Sequence, residues 1–371
     1  MTVSQTDFVV VGAGVAGLSV AAALAPHGRV TVLEQEAHPG VHATGRSAAI
    51  FSRPYGDAAV QALSAAGRGY FERPGEGEES LLSPRGVLHL VPSISLGEAK
   101  TRTTALGHCD PLTADEVLAL VPVLSPEVVA RGFYEPDAAD IDVHALTSGY
   151  QRRLKALGGE LRLSSPVLGL SRQDGVWRVE TGAGALLAPV LVNAAGAWAG
   201  EIGRRAGAGD HGLQPLRRSA AIIDAPGGAD PAPWPMVVEI DERIYFKPEA
   251  GKLMLSPCDE TPFDPCDAYA DDFEVAVAAD VFEQLTGAPV RRVHHTWAGL
   301  RTFAPDRVPV IGFDPQVEGL FWMAGQGGSG VQIAPGAAAL AAALIVGPGD
   351  IEVDPGVAPH LAALSPKRFV A

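Results

Sequence analysis

The stretch DFVVVGAGVAGLSVAAALAPHGRVTVLEQE, residues 7–36, decides the fold of this chain. It opens with a short apolar run, Phe8–Val11, of the kind that forms a buried parallel strand, and a second run follows at 30–33. The residues between them predict a helix that ends at Pro26-His27-Gly28. A strand, a turn, a helix and a strand in this order predict the βαβ unit that binds dinucleotides.

The turn before the helix has the spacing G-x-G-x-x-G, in Gly12, Gly14 and Gly17. Gly12 permits a tight turn, Gly14 lets a pyrophosphate approach the backbone, and Gly17 lets the helix pack closely on the strand. The helix N-terminus offers N–H groups and a positive dipole end to the phosphates. Glu34, at the end of the second strand, is placed to accept hydrogen bonds from a ribose. If the glycine-rich turn bound no ligand, the position of Glu34 at the end of the second strand would have no explanation.

Composition sets the broad class of the protein. The chain has 371 residues, 47% of them hydrophobic, which indicates roughly two domains with substantial cores. A formal net charge of −15 without a dense Lys/Arg cluster argues against a nucleic-acid partner. The three cysteines, Cys109, Cys258 and Cys266, form no C-x-x-C motif and are interpreted as reduced, buried thiols. No cluster of metal-ligand type is present in the sequence, so we expect no metal site.

Neither end of the chain carries a membrane signal. The N-terminus leads almost directly into the first strand without a basic region, and the longest apolar run near the C-terminus, 337–346, is too short to cross a bilayer. We expect a cytoplasmic protein without an integral membrane segment.

The segment HATGRSAAIFSRPYG, residues 42–56, is rich in small residues. An NAD-binding domain would usually continue here with another strand and helix, whereas a loop of small residues suits a longer cofactor that passes over the sheet edge. An ordinary helix N-terminus capped by Thr44 or Ser47 is the alternative. Both interpretations are compatible, because caps and anion sites use the same N–H groups.

Four stretches in one order along the chain carry a family resemblance. They are VVGAGVAGLS…VTVLEQE, HATGRSAA, LVNAAGAWA (191–199), and HTWAGLRTFAPDRVPVIG (295–312) with the following GLFWMAGQGGSGVQ (319–332). The chain resembles the superfamily of FAD-dependent D-amino acid oxidases and glycine oxidases. Within it, the chain is most similar to bacterial D-amino acid dehydrogenases of the D-arginine dehydrogenase type.

The resemblance implies FAD as the cofactor and gives each motif a place along it. Ala16 would lie at the pyrophosphate, Gln35 at the ribose, Val167 at the adenine through its backbone, and 328–331 at the flavin pyrimidine. The candidate cofactor-binding residues are Gly12, Gly14, Ala16, Gly17, Glu34, Gln35, Ala43, Thr44, Gly45, Arg46, Ser47, Ala48, Ala49, Ile50, Val167, Ala195, Gly196, Gly325, Gly328, Ser329, Gly330 and Val331.

The expected fold is α/β. A Rossmann-like, glutathione-reductase-like FAD-binding domain is joined to a discontinuous α+β substrate domain. Short alternating runs such as SAAIID, MVVEID, RIYFKP and KLMLSP predict an antiparallel sheet in the second domain. One further helix is predicted within 140–159, with Asp142 as its N-cap. The predicted FAD-binding domain comprises 1–54, 138–212 and 305–371, and the substrate domain comprises 55–137 and 213–304.

Arg301 lies in an apolar run, where a buried cation needs an anionic partner. That partner is either an internal acid, for example Asp306, or a ligand. The resemblance implies that Arg301 anchors a substrate carboxylate, with Tyr245, Arg218 and Tyr55 beside it. Taken singly, the tyrosines could equally be packed aromatics, and Arg218 a surface cation.

The resemblance implies oxidative deamination of D-amino acids to 2-keto acids and ammonia, with hydride transfer from Cα to flavin N5, by a dehydrogenase. The expected partner is a small-molecule substrate, an amino acid, and the electron acceptor stays open among a quinone, a dye and oxygen. Alternatives are a glycine, sarcosine or D-proline oxidase, a 2-hydroxy acid or glycerol phosphate dehydrogenase of the same fold, and a flavoprotein that needs a partner subunit.

The chain departs from the D-arginine dehydrogenase pattern at two places. Gly86 and Val87 stand where that type carries an acid for the cationic end of its substrate, and Ile50 stands where relatives carry a histidine. Both changes remove polar groups. We therefore expect apolar or mid-sized D-amino acids to be preferred over D-arginine.

Overall fold

The computed structural model describes residues 3–75, 77–95, 106, 108–347 and 351–370. The strands are Val3–Gln5 (β1), Phe8–Val11 (β2), Val30–Leu33 (β3), Ile50–Phe51 (β4), Leu82–Pro84 (β5), Val87–Pro92 (β6), Asp110–Thr113 (β7), Val129–Glu135 (β8), Ala139–Ile141 (β9), Glu160–Arg162 (β10), Gly169–Gln173 (β11), Val176–Thr181 (β12), Gly184–Ala188 (β13), Val190–Asn193 (β14), Gln214–Ile223 (β15), Met236–Glu239 (β16), Tyr245–Glu249 (β17), Lys252–Ser256 (β18), Thr261–Pro262 (β19), Val293–Phe303 (β20), Val310–Phe313 (β21) and Leu320–Ala324 (β22). The α-helices are Val15–Leu24 (α1), Ala58–Glu72 (α2), Ala114–Leu120 (α3), Val143–Ala156 (α4), Ala199–Arg205 (α5), Asp272–Thr286 (α6), Gly330–Val346 (α7) and Leu361–Leu364 (α8).

In the described part of the chain, six strands form a sheet in the order β10-β3-β2-β14-β22-β21. The first five are parallel and β21 is antiparallel to β22. The predicted strands at Phe8–Val11 and 30–33 and the helix between them are confirmed as β2, β3 and α1. Because the strands are covered on both faces, they consist of nearly continuous apolar runs rather than alternating ones.

The six-stranded sheet lies between two layers. On one face, residues such as Val10, Val32 and Phe321 pack against α1, α2, α4 and α7. On the other face, residues such as Val9 and Trp322 pack against α5 and a sheet of order β1-β13-β12-β11. Successive residues of a strand point to opposite faces, so each strand contributes to two cores.

Among the described residues, nine strands form a second large sheet, in the order β19-β15-β18-β17-β16-β6-β8-β7, with β20 paired to β15. The strands predicted from SAAIID, MVVEID, RIYFKP and KLMLSP are confirmed as parts of β15, β16, β17 and β18. All pairs are antiparallel except β16 with β6. One face packs on α3 and α6. The predicted α/β class with a separate antiparallel sheet is confirmed.

A short three-stranded sheet directly precedes helix α4 in the chain. Strands β4, β9 and β5 pair in a short antiparallel sheet. Directly after β9, the Asp142 carboxylate caps α4 by accepting a hydrogen bond from the Ala145 N–H at 2.8 Å, which confirms the predicted cap. Helix α2, placed by sequence in the substrate domain, packs on α7. The domain boundaries stay a prediction.

Two expectations from the sequence concern membrane-spanning helices and metal sites. Within the described ranges, no helix is long and apolar enough to span a bilayer, and no group of His, Cys, Asp or Glu residues has the geometry of a metal site.

Cys109, Cys258 and Cys266 are free, but each is partly exposed, so the expectation of buried thiols is wrong. Cys109 directly precedes β7, and Cys258 and Cys266 lie in the segments after β18 and β19.

Helices α2 and α7 cross at Gly67 and Gly336, and their close approach leads to a testable prediction. A Cβ atom at Gly336 would overlap the Leu63 carbonyl oxygen, whereas a Cβ atom at Gly69 would meet nothing within 4 Å. We expect Gly336→Ala to destabilise the protein by about 1–3 kcal/mol because the backbones must separate. The measurement is the midpoint of thermal unfolding of the FAD-loaded protein.

The matched control for Gly336→Ala is Gly69→Ala, which places the same methyl group on an open face of α2. It should leave the midpoint unchanged or raise it, because alanine favours the helix over glycine. Equal losses in both variants would contradict the close-crossing account.

Candidate active site

A cavity of about 400 Å³ opens at the carboxyl ends of β2, β3 and β14. Its far wall includes Gly299 and Leu300 of β20, so the two large sheets meet across it. In open parallel sheets, ligands bind at this edge. The predicted cofactor-binding residues that line it are Gly12, Gly14, Glu34, Gln35, Ala43, Thr44, Arg46, Val167, Ala195 and Gly196.

The glycine turn has the geometry that a dinucleotide requires. Gly12 has φ +100°, and a Cβ atom there would lie 2.5 Å from the Ala194 carbonyl oxygen. A Cβ atom at Gly17 would overlap the Gly12 carbonyl oxygen. Both positions therefore exclude a side chain for reasons of backbone packing. Gly14 is the N-cap of α1 and lies on the cavity wall, where the absence of a side chain leaves the helix N-terminus accessible.

Thr44 is a helix cap, but it caps a different helix from the one expected. Its hydroxyl accepts a hydrogen bond from the Val15 N–H at 3.0 Å, at the N-terminus of α1. The short 3-10 helix of its own segment, Ala43–Arg46, has no side-chain cap. The segment after the second strand is thus held directly over the N-terminus of α1.

The Glu34 carboxylate is fixed at the cavity rim. Its Oε2 accepts a hydrogen bond from the Ala13 N–H at 2.7 Å, and its Oε1 accepts one from the Glu36 N–H at 3.0 Å. A carboxylate can accept about four hydrogen bonds. Acceptor capacity therefore remains for ribose hydroxyl groups. The glycine turn, the part of the α1 N-terminus that Thr44 does not cap, and this acid together fit an FAD molecule.

Arg46 joins the cofactor cavity to the second sheet. Its Nη1 donates to the carbonyl oxygens of Ala268 at 3.0 Å and Ala298 at 2.8 Å, and its Nη2 pairs with Asp267. The hydrogen bond from Arg46 lowers the pKa of the Asp267 carboxyl below its usual range. The guanidinium is therefore committed to protein partners on these sides, and the backbone of 43–46 forms the wall.

The other predicted cofactor residues lie outside this cavity. Ala16 belongs to α1, and Ser47 accepts a hydrogen bond from the N–H of Ala49, whose φ is +46°. Ser329 donates to the Gln326 carbonyl oxygen where α7 begins. Contacts of this group with FAD stay predictions; its members are Ala16, Gly17, Gly45, Ser47, Ala48, Ala49, Ile50, Gly325, Gly328, Ser329, Gly330 and Val331.

The structure brings the four predicted substrate residues together. Arg218, Tyr245 and Arg301 lie on β15, β17 and β20, on the sheet face opposite α6. Tyr55 comes from the loop after β4, with its ring partly exposed. A Cβ atom at Gly328 would overlap the Tyr55 hydroxyl and lie 2.8 Å from Arg301 Nη1, so this glycine lets both groups reach the start of α7.

Arg301 has an internal partner, but it is not Asp306. Asp306 accepts hydrogen bonds from Arg368 at 2.6 and 3.1 Å. Arg301 Nη2 instead donates to Glu260 Oε1 at 2.7 Å, while its Nε is buried without a partner. Sequence reasoning missed Glu260, which follows β18 and carries no motif. Arg218 is not a surface cation, since its Nε donates to the Asp259 carbonyl oxygen at 2.9 Å.

Charges in this cluster shift one another. Burial lowers the pKa of Arg301, and the neighbouring Arg218 lowers it further. Removal of water raises the pKa of the Tyr55 phenol, against the opposing effect of Arg301 and Arg218. Burial raises the pKa of Glu260, but hydrogen bonds and charges from the arginines outweigh it and hold the pKa below its usual value. Glu260 is therefore ionised and Tyr55 is a hydrogen-bond donor at neutral pH.

A buried polar cluster, also missed from sequence, holds the loop of Tyr55. The Gln332 side chain accepts from the Ser52 N–H at 3.0 Å and donates to the Ser52 carbonyl at 2.8 Å. The Glu135 carboxylate accepts from the Ser52 hydroxyl and the Arg53 N–H, both at 2.7 Å. We call these residues the Ser52 clamp. Ser52, Glu135 and Gln332 are far apart in sequence and meet only where β8 and α7 reach the loop after β4. A local sequence pattern therefore could not predict these contacts.

One wall beside Tyr245 is apolar. Ile50 and Tyr245 pack with Val87, Met236 and Val238 in one cluster. Ile50 and Val87, two of the three positions that depart from the D-arginine dehydrogenase pattern, thus lie beside Tyr245.

Gly86 cannot carry an acid. It has φ +73°, and a Cβ atom there would overlap the Tyr134 hydroxyl. A carboxylate could be added at this position only with displacement of Tyr134 and of the backbone.

Comparison with known proteins gives the class. Residues 7–344 match the DAO family, described as FAD dependent oxidoreductase, and the chain belongs to this family. Its cofactor is FAD. The glycine oxidase of Pseudomonas putida is 29% identical over 94% of this chain and 96% of its own length.

Two solved structures share the fold. The glycine oxidase of Geobacillus kaustophilus has a TM-score of 0.82 and 22% identity, over 99% of this chain and 100% of its own. The L-proline dehydrogenase of P. horikoshii has a TM-score of 0.83 and 22% identity, over 99% and 98%. The narrower resemblance to D-arginine dehydrogenases stays a prediction.

The position of Glu34 predicts a loss of cofactor affinity in Glu34→Ala. The variant removes both acceptors at the cavity rim and leaves the Ala13 N–H without its partner. We expect the dissociation constant of FAD to rise by about tenfold or more, as loss of a charged hydrogen bond implies. Titration of apoprotein with FAD, followed by flavin fluorescence, measures it.

Glu318→Ala is the control, because this residue is exposed and pairs with Arg172 away from the cavity. An unchanged FAD affinity in Glu34→Ala would contradict the role given to the acid.

Proposed function

We propose that the chain oxidises α-amino acids, with D-amino acids as the preferred class, to 2-keto acids and ammonia. The observation that carries the proposal is the course of β20. Gly299 lies in the wall of the cofactor cavity, and Arg301, two residues further on the same face, lies among Tyr55, Arg218 and Tyr245. A carboxylate bound at Arg301 would therefore be held beside the cofactor.

Each residue of the cluster has one task. Arg301 binds the substrate carboxylate through its two terminal nitrogens, since its Nε is buried. The Tyr245 hydroxyl and the Arg218 guanidinium support the same group. Tyr55 covers the site and limits the entry of water. FAD, when bound, supplies the acceptor for the hydride that leaves the substrate Cα.

The substrate side chain is expected to be uncharged. The apolar cluster of Ile50, Val87, Met236 and Val238 flanks Tyr245, and Gly86 has no space for an acid. A cationic side chain would lack a partner at this wall. This supports D-methionine or D-leucine over D-arginine, and the D configuration itself follows from the sequence resemblance.

Glycine or sarcosine oxidation is the second candidate. The similarity to the glycine oxidase of Pseudomonas putida extends over nearly the whole of both chains. Glycine and sarcosine carry the same carboxylate, so Arg301 would bind them in the same way. Oxidation of glycine, which has no side chain, or of sarcosine, a secondary amine, would then replace oxidation of larger D-amino acids.

Anaerobic reduction of the bound flavin tests the proposal. D-amino acids, L-amino acids, glycine, sarcosine and 2-hydroxy acids are added one at a time, and the visible flavin absorption is followed. Bleaching by D-amino acids supports the main proposal, and bleaching by glycine or sarcosine alone supports the second. If only hydroxy acids bleach the flavin, the amine-oxidation proposal is wrong. Admission of air then distinguishes an oxidase from a dehydrogenase.

Arg301→Lys gives a direct prediction for the anchor. Lysine keeps the charge but cannot form two parallel hydrogen bonds with a carboxylate. We expect kcat/KM for the best substrate to fall by about 10²-fold, equivalent to about 3 kcal/mol of lost charged hydrogen bonding. Steady-state kinetics at equal FAD content measure the change.

Arg204→Lys serves as the control, because Arg204 is an exposed arginine paired with Asp210. Equal kinetics for wild type and Arg301→Lys would mean that the carboxylate binds elsewhere.

A further inference from the structure

Glu260 is surrounded by three guanidinium groups. Its Oε1 accepts hydrogen bonds from Arg301 Nη2 at 2.7 Å and from Arg307 Nη2 at 2.8 Å, and its Oε2 accepts one from Arg307 Nη1 at 3.0 Å. Arg218 Nη2 lies 3.4 Å from Oε1. One carboxylate thus meets the anchor arginine and two further arginines.

The cluster is built to keep this carboxylate in place. Arg307 binds it through two parallel hydrogen bonds, and its guanidinium stacks 4.0 Å from the centre of the Phe303 ring. The Arg307 N–H donates to the Ala304 carbonyl at 2.9 Å, which fixes the turn that carries it. Asp259, the neighbouring acid, is already bound by the Ser219 N–H and hydroxyl.

The net charge of the three arginines and Glu260 favours the binding of one further anion. Arg218, Arg301 and Arg307 carry more positive charge than Glu260 alone offsets, with Asp259 Oδ1 at 4.0 Å from Arg218 Nε as the next acid, and a substrate carboxylate on Arg301 would reduce the excess. The arginines that could pair with a second substrate carboxylate already hold Glu260, so such a group would remain unpaired beside the charge of Glu260. Like charges at such a distance repel strongly in a site of low dielectric.

We propose that the negative charge of Glu260 takes the place of a second substrate carboxylate in pairing with these arginines and so restricts the site to monocarboxylates. The inference rests on the proposed function of Arg301 as the carboxylate anchor. It makes Glu260 a residue that determines specificity: substrates with a neutral side chain are accepted, and those with an acidic side chain, such as aspartate and glutamate, are rejected.

Equilibrium binding of two small acids to the FAD-loaded protein tests the inference. Propionate and succinate are titrated into wild type and Glu260→Gln, and the dissociation constants are measured by calorimetry. Glutamine keeps the shape and one acceptor for Arg301 but removes the charge. We expect succinate to bind Glu260→Gln at least about tenfold more tightly than wild type, with propionate changed by less than about threefold, a tenfold change being 1.4 kcal/mol.

Glu242→Gln is the matched control. Glu242 is an exposed acid whose charge also acts on Tyr55 and Arg307. If Glu260 acts through its direct pairing with the arginines, Glu242→Gln leaves the preference for propionate unchanged. An equal gain for succinate in both variants, or no gain in Glu260→Gln, would overturn the inference.

Arg307→Gln keeps the inference testable if Glu260→Gln does not fold. Arg307 is half exposed, so its replacement leaves the cores intact. Glu260 would then rest on Arg301 and compete with the ligand, so propionate should bind several-fold more weakly and succinate should not gain. Tighter binding of succinate to Arg307→Gln would contradict the inference.

Binding and turnover separate the two proposals. Wild type that binds propionate over succinate but oxidises no amino acid would remove the proposed function and keep the inference about Glu260. Wild type that oxidises neutral amino acids, together with a Glu260→Gln variant that gains neither succinate binding nor glutamate turnover, would do the reverse.

Discussion

A buried positive charge has to be compensated, and the guanidinium of Arg301 imposes this requirement on the parts of the chain around it. Glu260 supplies one negative charge, Tyr55 and Tyr245 lie within electrostatic reach, and Gly328 leaves the space into which Nη1 extends. The compensation is incomplete, because Arg218 and Arg307 add further positive charge. A site that remains cationic after its internal pairing attracts an anion, and β20 places this site beside the cofactor cavity.

The βαβ unit could be predicted from the sequence because its signals are local. The glycine spacing, the two apolar runs and Glu34 lie within 7–36, and each acts on a neighbour in the same unit. The same holds for Asp142, which caps a helix that begins at the next residue. Arg301 could be singled out because a lone cation in an apolar run is anomalous wherever the chain goes.

The remaining site residues depend on contacts between distant segments. Gln332 meets Ser52 across 280 positions, and Thr44 caps a helix that precedes it by 29 positions. Glu260 meets Arg301 only through the register of β15 with β19 and β20. Asp306, named above as one example of an internal partner, is close to Arg301 in sequence, but Arg307 has φ +62° in that turn, and the Asp306 carboxylate pairs instead with Arg368.

The Ser52 clamp has a consequence for how substrates enter. The loop of Tyr55 is held at its beginning by the clamp, and at its end Asp57 caps α2. Between these points, Gln61 donates to the carbonyl oxygens of Pro54 and Gly56. The backbone is therefore fastened on both sides of the tyrosine, and the ring can move mainly by rotation of its own side chain. Such rotations take picoseconds to nanoseconds at an exposed position, whereas lids open in microseconds to milliseconds. Under the proposed function, Tyr55 would open the entrance by rotation of its side chain, and a slow backbone movement there would not limit the rate of turnover.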